Sequence, residues 1–200
     1  MHWYEEEVRG LERAHQATPP LPGGVLFYGS SSFRLWQNLP RDLLTWPVVN
    51  RAFGGSTLEA CAYFFERLVV PCAPRSLICY AGDNDLGDGR SPYEVIGSFH
   101  KLTEKVNTLL GPIPFAFLSI KPSPARWHLR ESILQVNSAI RQTLMQRHLG
   151  YYIDIYGPML NRDGTPRRDL FAEDGLHLSP AGYRLWAQII SAYRYPLLDL

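Results

Sequence analysis

The sequence predicts an α/β protein in which a parallel sheet is covered by helices on both faces. Short apolar runs alternate along the chain with helical patterns of ten or more residues, which is typical of βαβ units. The 200 residues are 46% hydrophobic, which is enough for a sizeable core in one domain. Because βαβ units cross over with one handedness, we expect the carboxyl ends of the strands to share one edge of the sheet.

The first half of the chain contains three predicted strands, each an apolar run that a glycine or polar cluster closes. They are Val25–Tyr28, Pro47–Asn50 and Ser76–Tyr80. Two predicted helices cover Trp3–Gln16, whose residues Trp3, Val8, Leu11 and Ala14 share one face, and Leu58–Val70. We expect Phe33–Leu44 to form short helical turns broken at Pro40.

The second half continues the alternation with two strands and three helices. The predicted strands are Pro114–Ile120 and Tyr151–Ile155, and the predicted helices are Pro92–Leu110, Ala125–Gln146 and Pro180–Tyr193. No composition shift or linker divides the chain. We therefore interpret residues 1–200 as a single domain, with residues 1–20 as an N-terminal helical extension packed on it.

Charge and cysteine content argue against several functional classes. The net charge is +1 and no helix or strand carries a run of Lys and Arg, so we expect no nucleic-acid partner. The acidic start lacks the pattern of a secretory signal, and no apolar window reaches the length of a membrane span. Three cysteines without C-x-x-C spacing predict neither a disulfide framework nor a zinc site. We expect a cytoplasmic protein without a metal or organic cofactor.

The first strand ends in Gly29 followed by three serines, Ser30, Ser31 and Ser32. Ligands of open α/β sheets bind beyond the carboxyl ends of the strands, so a serine there is a candidate nucleophile. Gly-Ser clusters also mark plain turns, and the stretch alone does not separate the two interpretations.

His177 is the best candidate for a general base among the six histidines. Asp174 precedes it by three residues in a turn-rich loop, a spacing that lets a carboxylate orient the imidazole. The alternative is a turn aspartate beside a surface histidine. His128, at the start of the helix after the fourth predicted strand, is a histidine that could line the substrate pocket.

Two further residues at strand ends could bind a developing oxyanion. Asn84 has a side-chain amide, and Gly55 offers an unobstructed backbone N–H. Each also has an ordinary interpretation, Asn84 in an Asx-turn and Gly55 in the turn that enters a helix. The five residue types together, at converging strand ends, favour acyl transfer by a serine.

These motifs resemble the four blocks of the SGNH hydrolases, in the GDSL esterase/lipase superfamily. The blocks are Gly29-Ser30-Ser31, Asn50-Arg51-Ala52-Phe53-Gly54-Gly55-Ser56-Thr57, Gly82-Asp83-Asn84-Asp85 and Asp174-Gly175-Leu176-His177. They occur in the family's order and span nearly the whole chain. Ser30 departs from the family's usual aspartate beside the nucleophile.

The resemblance implies a three-layer, flavodoxin-like α/β/α fold with five parallel strands. It implies a triad of Ser31, His177 and Asp174, and an oxyanion hole formed by the N–H groups of Ser31 and Gly55 with the Asn84 side chain. The expected substrate is a small or medium soluble acyl ester. The similar platelet-activating-factor acetylhydrolase catalytic subunits pair as dimers, which hints at a homodimer. The alternatives are an acyltransferase that uses the same serine, or a non-catalytic binding module.

Some residues near the predicted edge have two interpretations. Arg162, Arg167 and Arg168 form a basic cluster that is either a solvated loop or a means of steering an anionic substrate. The aromatic residues Phe33, Trp36, Phe53 and Trp127 either wall an acyl pocket or pack in the core. Lys121 lies at the edge without an assigned catalytic role.

Overall fold

The computed structural model describes residues 1–199 and contains a five-stranded, all-parallel sheet. The strand order is β2-β1-β3-β4-β5, and the strands are β1 (Val25–Gly29), β2 (Val48–Asn50), β3 (Ser76–Tyr80), β4 (Phe115–Leu118) and β5 (Gly150–Ile153). Parallel pairing joins every neighbouring pair in this order. The predicted fold class, a three-layer α/β/α sandwich, is confirmed.

Helices cover both faces of the sheet. They are α1 (Glu5–Ala17), α2 (Ser31–Arg34), α3 (Leu39–Asp42), α4 (Leu58–Leu68), α5 (Asp83–Gly87), α6 (Pro92–Leu110), α7 (Arg130–Gln146) and α8 (Pro180–Ser191). The strand side chains alternate between two cores, because successive residues of a strand point to opposite faces. Leu77 and Cys79 join the core under α4, α6 and α7, whereas Ile78 and Tyr80 join the core under α2 and α8. No helix in residues 1–199 is long and apolar enough to cross a membrane.

Side-chain caps define where α4, α6 and α8 begin. The Thr57 hydroxyl accepts a hydrogen bond from Ala60 N (3.1 Å) at the start of α4. Ser91 and Glu94 form a capping box before α6, with Pro92 as the first helical residue. Ser179 accepts from Gly182 N (3.2 Å) before α8. These polar and proline residues satisfy or replace the unpaired N–H groups of a first helical turn.

Three details of the helix predictions are wrong. Pro40 lies in the first turn of α3, where its missing N–H is harmless, and breaks no helix. The predicted helix from Ala125 begins with a 3-10 helix over Pro124–Leu129, in which Arg126 has a non-helical backbone (φ −118°, ψ 23°). Trp3 precedes α1 in a 3-10 turn and is 83% exposed, while its neighbour Tyr4 is buried. Ala14 is exposed as well.

Candidate active site

The turn after β1 is shaped by the close approach of β3. Gly29 has φ +133°, and a Cβ atom there would lie 1.9 Å from the Tyr80 carbonyl oxygen. Only glycine fits this position, and the next residue, Ser30, donates its N–H to that same oxygen (2.9 Å). The chain then turns directly into α2, whose first residue is Ser31.

The structure brings Ser31 and His177 together from 146 residues apart in the chain. The distance from His177 Nε2 to Ser31 Oγ is 3.1 Å, within hydrogen-bonding range. Ser30 and Ser32 are buried, with exposures of 2% and 1%. Among the three serines, Ser31 is the one whose hydroxyl lies within hydrogen-bonding distance of the imidazole.

Asp174 contacts the opposite side of the imidazole. Its Oδ2 atom lies 2.6 Å from His177 Nδ1, and its Oδ1 accepts hydrogen bonds from the N–H groups of Leu176 and His177 (2.9 Å each). The hydrogen bond from His177, together with these backbone donors, lowers the pKa of Asp174 to about 2. An ionised carboxylate only accepts hydrogen bonds, so the contact assigns a proton to Nδ1, and in the tautomer with that single proton the Nε2 lone pair faces Ser31.

Gly55 lies in the loop between β2 and α4. Its φ of +64° lies in the left-handed region that favours glycine, and the residue is exposed. The loop is attached to the turn after β1, because Phe53 N donates to the Gly29 carbonyl (3.0 Å). The backbone around Gly55 therefore reaches the same edge of the sheet as Ser31.

Asn84 lies in α5, and its amide has a defined orientation. Its Nδ2 donates to the Ser56 carbonyl (3.1 Å), and its Oδ1 accepts from Nη1 and Nη2 of Arg126 (3.2 Å each). A carbonyl only accepts and a guanidinium only donates, so the amide cannot flip without losing both partners. One of the two Nδ2 hydrogens is used by Ser56, and the second leaves the amide a further donor.

The sequence model of the GDSL-like lipase/acylhydrolase family matches residues 21–185. The chain belongs to this family. The resemblance stated from the four blocks is thus confirmed, and family membership makes the protein a GDSL-type esterase. No curated protein matches the chain.

Solved structures with low sequence identity share the fold. A Streptococcus pneumonia protein, provisionally described as a platelet activating factor, has a TM-score of 0.84 at 19% identity and covers 95% of this chain and 92% of its own. A GDSL-like lipase from Bacteroides thetaiotaomicron has a TM-score of 0.77 at 18% identity, covering 92% and 95%. A family 3 carbohydrate esterase from Clostridium thermocellum has 0.72 at 15% identity, covering 90% and 98%.

Next to Asn84 lies an ionic cluster that sequence reasoning missed, formed by the buried Asp83 and Lys121 and the partly exposed Arg126. Asp83 pairs with Lys121 Nζ and, at 2.8 Å, with Arg126 Nη1. Burial opposes the charge on Asp83 and on Lys121, but their mutual attraction prevails, so the pKa of Asp83 is lowered and that of Lys121 is raised. Lys121 also donates to the Tyr80 hydroxyl (3.0 Å), and burial raises the pKa of Tyr80 to about 12.

Asp85, the last residue of the third block, is a second missed residue. It is fully buried, and both carboxylate oxygens accept from the N–H of Leu58, the first residue of α4 (2.9 and 3.1 Å). Burial raises the pKa of Asp85 to about 6. Its position directly after Asn84 in the block was the available signal.

The other candidates near this edge separate into lining and core residues. His128 is exposed and does not line the neighbouring cavity of about 430 Å³, which has Trp127 and Arg168 in its wall. Arg167 pairs with Asp169 (3.1 Å). Phe33, Trp36 and Phe53 are at most 2% exposed and pack in the two cores.

Proposed function

We propose that this GDSL-type esterase hydrolyses small or medium soluble acyl esters through a Ser31–His177–Asp174 triad. The observation that carries the proposal is the continuous contact from Ser31 Oγ to His177 Nε2 (3.1 Å) and from His177 Nδ1 to Asp174 Oδ2 (2.6 Å). A nucleophile, a base in hydrogen-bond reach and a group that orients the base are the parts that this chemistry needs.

Acylation begins when Ser31 Oγ attacks the ester carbonyl carbon and its proton passes to His177 Nε2. The carbonyl electrons move onto oxygen, which becomes the oxyanion of a tetrahedral intermediate. When this collapses, the bond to the leaving alcohol breaks, and His177 returns the proton to the alkoxide. Water then repeats the sequence on the acyl-serine, giving the carboxylic acid and free Ser31.

The proposed oxyanion hole consists of the N–H groups of Ser31 and Gly55 and the Asn84 side-chain amide. Support for Asn84 comes from its fixed amide orientation, with one hydrogen on the Ser56 carbonyl and a second one left to donate. Fixed donors need no reorganisation as charge develops, and losing one typically costs about 3–4 kcal/mol of transition-state stabilisation.

Two alternatives use the same residues. An acyltransferase would deliver the acyl group to an alcohol acceptor in preference to water, whereas a binding module would show no turnover. A binding module has no need of an imidazole held between a carboxylate and a serine hydroxyl, so the contacts at His177 favour catalysis. The cytoplasmic location, the homodimer and the single-domain organisation stay predictions.

The test is turnover of p-nitrophenyl esters from acetate to decanoate by the wild type, Ser31→Ala, Ser30→Ala and Ser32→Ala. We expect Ser31→Ala to lose at least about 10³-fold in kcat, because no other hydroxyl contacts His177 in the described structure. The two neighbouring variants are matched controls and should retain most of the activity. The chain length with the highest kcat/KM then bounds the acyl pocket.

Each contrary result identifies a different error. Full activity in Ser31→Ala would contradict the assignment of the nucleophile. Absence of wild-type turnover on esters, thioesters and acetylated sugars would favour the binding module. If the ratio of the new ester to the carboxylic acid exceeds the molar ratio of the added alcohol to water, the protein is an acyltransferase.

A further inference from the structure

The N-terminal segment contacts both sides of the loop that carries Gly55. Tyr4 donates its hydroxyl to the Gly55 carbonyl (3.1 Å), and Glu7 Oε2 accepts from Gly54 N (2.9 Å). Both residues precede position 21, where the match to the family begins. These contacts therefore come from a part of the chain outside the matched family region.

Glu7 also connects this loop to α2, the helix that begins with the proposed nucleophile Ser31. Its second oxygen, Oε1, accepts a hydrogen bond from Arg34 Nε, and Arg34 is the last residue of α2, which begins with Ser31. A single carboxylate thus holds the Gly54 backbone on one oxygen and the helix of Ser31 on the other. This bridge adds a side-chain connection to the backbone hydrogen bond from Phe53 N to the Gly29 carbonyl.

The two hydrogen bonds lie on either side of the proposed Gly55 donor. The Gly55 N–H belongs to the peptide between Gly54 and Gly55. Glu7 holds the peptide before it through Gly54 N, and Tyr4 holds the peptide after it through the Gly55 carbonyl. Consecutive glycines have more backbone freedom than any other pair, so the direction of this N–H needs external restraint.

We propose that Glu7 and Tyr4 are positioning residues that aim the Gly55 N–H at the developing oxyanion. This inference rests on the proposed function, because it assigns a purpose to the Gly55 N–H in the same reaction. Neither residue touches the substrate. Their contribution is to keep a backbone donor in the orientation that the transition state requires.

Attachment of α1 to the domain does not depend on Glu7. Arg67 of α4 binds Glu5 and Glu12 (2.8 Å each), and Val8 is fully buried in the core. The Glu7–Arg34 pair is substantially exposed, with side-chain exposures of 33% and 47%, and exposed ion pairs contribute little to stability. Changing Glu7 should therefore alter the loop without releasing the helix.

The test compares Glu7→Gln and Tyr4→Phe with the control Glu12→Gln. Glutamine has the size of glutamate but only one acceptor oxygen, so it cannot serve Gly54 N and Arg34 together. Glu12→Gln breaks an ion pair of the same helix, with Arg67, away from the loop. The measurements are kcat and KM for p-nitrophenyl acetate, Ki for a trifluoromethyl ketone whose serine adduct carries an oxyanion, and Tm.

In Glu7→Gln we expect kcat to fall about ten- to a hundredfold with KM little changed, since a misplaced donor acts on the transition state. The Ki of the ketone should rise in parallel, and Tm should match that of Glu12→Gln, which keeps normal kinetics. Tyr4→Phe should show the same pattern with a smaller loss. Kinetics of Glu7→Gln equal to the control, or a lower Tm with normal kcat per folded molecule, would overturn the inference. If the wild type itself lacks Ser31-dependent turnover, the proposed function fails, and the positioning role fails with it.

Discussion

The triad and the ionic cluster beside it are built in opposite ways. Asp174 and His177 are three residues apart, and their side chains are 49% and 33% exposed. Asp83 and Lys121 are 38 residues apart, and their side chains are 4% and 2% exposed. One pair is held by a local turn at the surface, and the other by long-range contacts in the interior.

The difference follows from what each group is proposed to do. A residue that takes up and returns a proton must face substrate and water, and a turn can orient it without a buried charge. The cluster moves no proton in the proposed reaction. Its Arg126 holds the Asn84 amide in place, and buried charges provide such fixed geometry only when every charge is paired. Activity should therefore be most sensitive in the triad, and stability in the cluster.

Among the changes that compare the triad with the cluster, the largest effect is expected for Asp174→Asn. The asparagine amide would donate toward Nδ1, so the ring would present a protonated Nε2 to Ser31, the wrong tautomer for a base. We expect kcat to fall about 10⁴-fold, with Tm little changed because the side chain is half exposed. The measurement is ester turnover beside Glu173→Gln, a control that changes the neighbouring exposed carboxylate.

The low pKa of Asp174, about 2, adds a pH signature. Folding depresses this pKa, so the stability that the carboxylate contributes is present above its unfolded value, about 3.9, and is lost as the pH falls through about 2. Loss of activity between pH 5 and 7 should then come from another group, because Asp174 stays ionised there.

An Asp174→Asn variant whose kcat is within tenfold of the wild-type value would contradict the proposed role of Asp174.

The proximity of Asp174 and His177, and a serine after the first strand, could be predicted from local features of the sequence, and their role as a triad stays a prediction. The three-residue spacing of Asp174 and His177 and the glycine before Ser30 are visible in the chain. Convergence of strand ends then explains why residues 31 and 177 meet. Family membership adds that the blocks belong together, whereas the distances come only from the three-dimensional structure.

The cluster could not be predicted, because it depends on tertiary geometry. Arg126, which donates to Asn84, lies in a 3-10 helix where the sequence predicted an α-helix. The sequence placed Lys121 at the sheet edge, but the residues around Lys121 do not indicate that it pairs with Asp83, which is 38 residues away. The burial pattern at the beginning of the chain could not be predicted either. The sequence placed Trp3 on the buried face of the first helix, whereas the structure buries its neighbour Tyr4 and exposes Trp3.

The second prediction addresses the cluster through Lys121→Met. Methionine fills similar space but leaves Asp83 with Arg126 alone, and an undercompensated buried charge is strongly destabilising. We expect the free energy of unfolding to fall by about 3–5 kcal/mol, measured by urea denaturation. Activity per folded molecule should change far less than in Asp174→Asn.

A double variant separates lost charge pairing from lost packing. In Asp83→Asn/Lys121→Met neither member of the pair is charged, so much of the stability lost in Lys121→Met should return. If the loss of unfolding free energy in the double variant equals the sum of the losses in Asp83→Asn and Lys121→Met, the two side chains are not energetically coupled. The contrast with the triad would then concern only where the two pairs lie.

The smallest effect is expected at Asp85, a buried carboxylate whose pKa is raised by burial despite the attraction of Arg90. Its pKa is raised to about 6, so the folded state binds a proton more readily than the unfolded state, whose pKa is about 3.9. Its contribution to stability is therefore full below about pH 4 and is lost as the pH rises through about 6.

Asp85→Asn keeps an oxygen for Leu58 N and removes the titration. Between pH 4 and 8, the stability of the variant relative to the wild type should rise by about 2–3 kcal/mol. Asp88→Asn, an exposed neighbour, should show no such trend. If urea denaturation gives parallel pH profiles for Asp85→Asn and the wild type, Asp85 does not carry an unfavourable buried charge. The contrast between a surface triad and a costly charged interior would then be limited to the residues around Lys121.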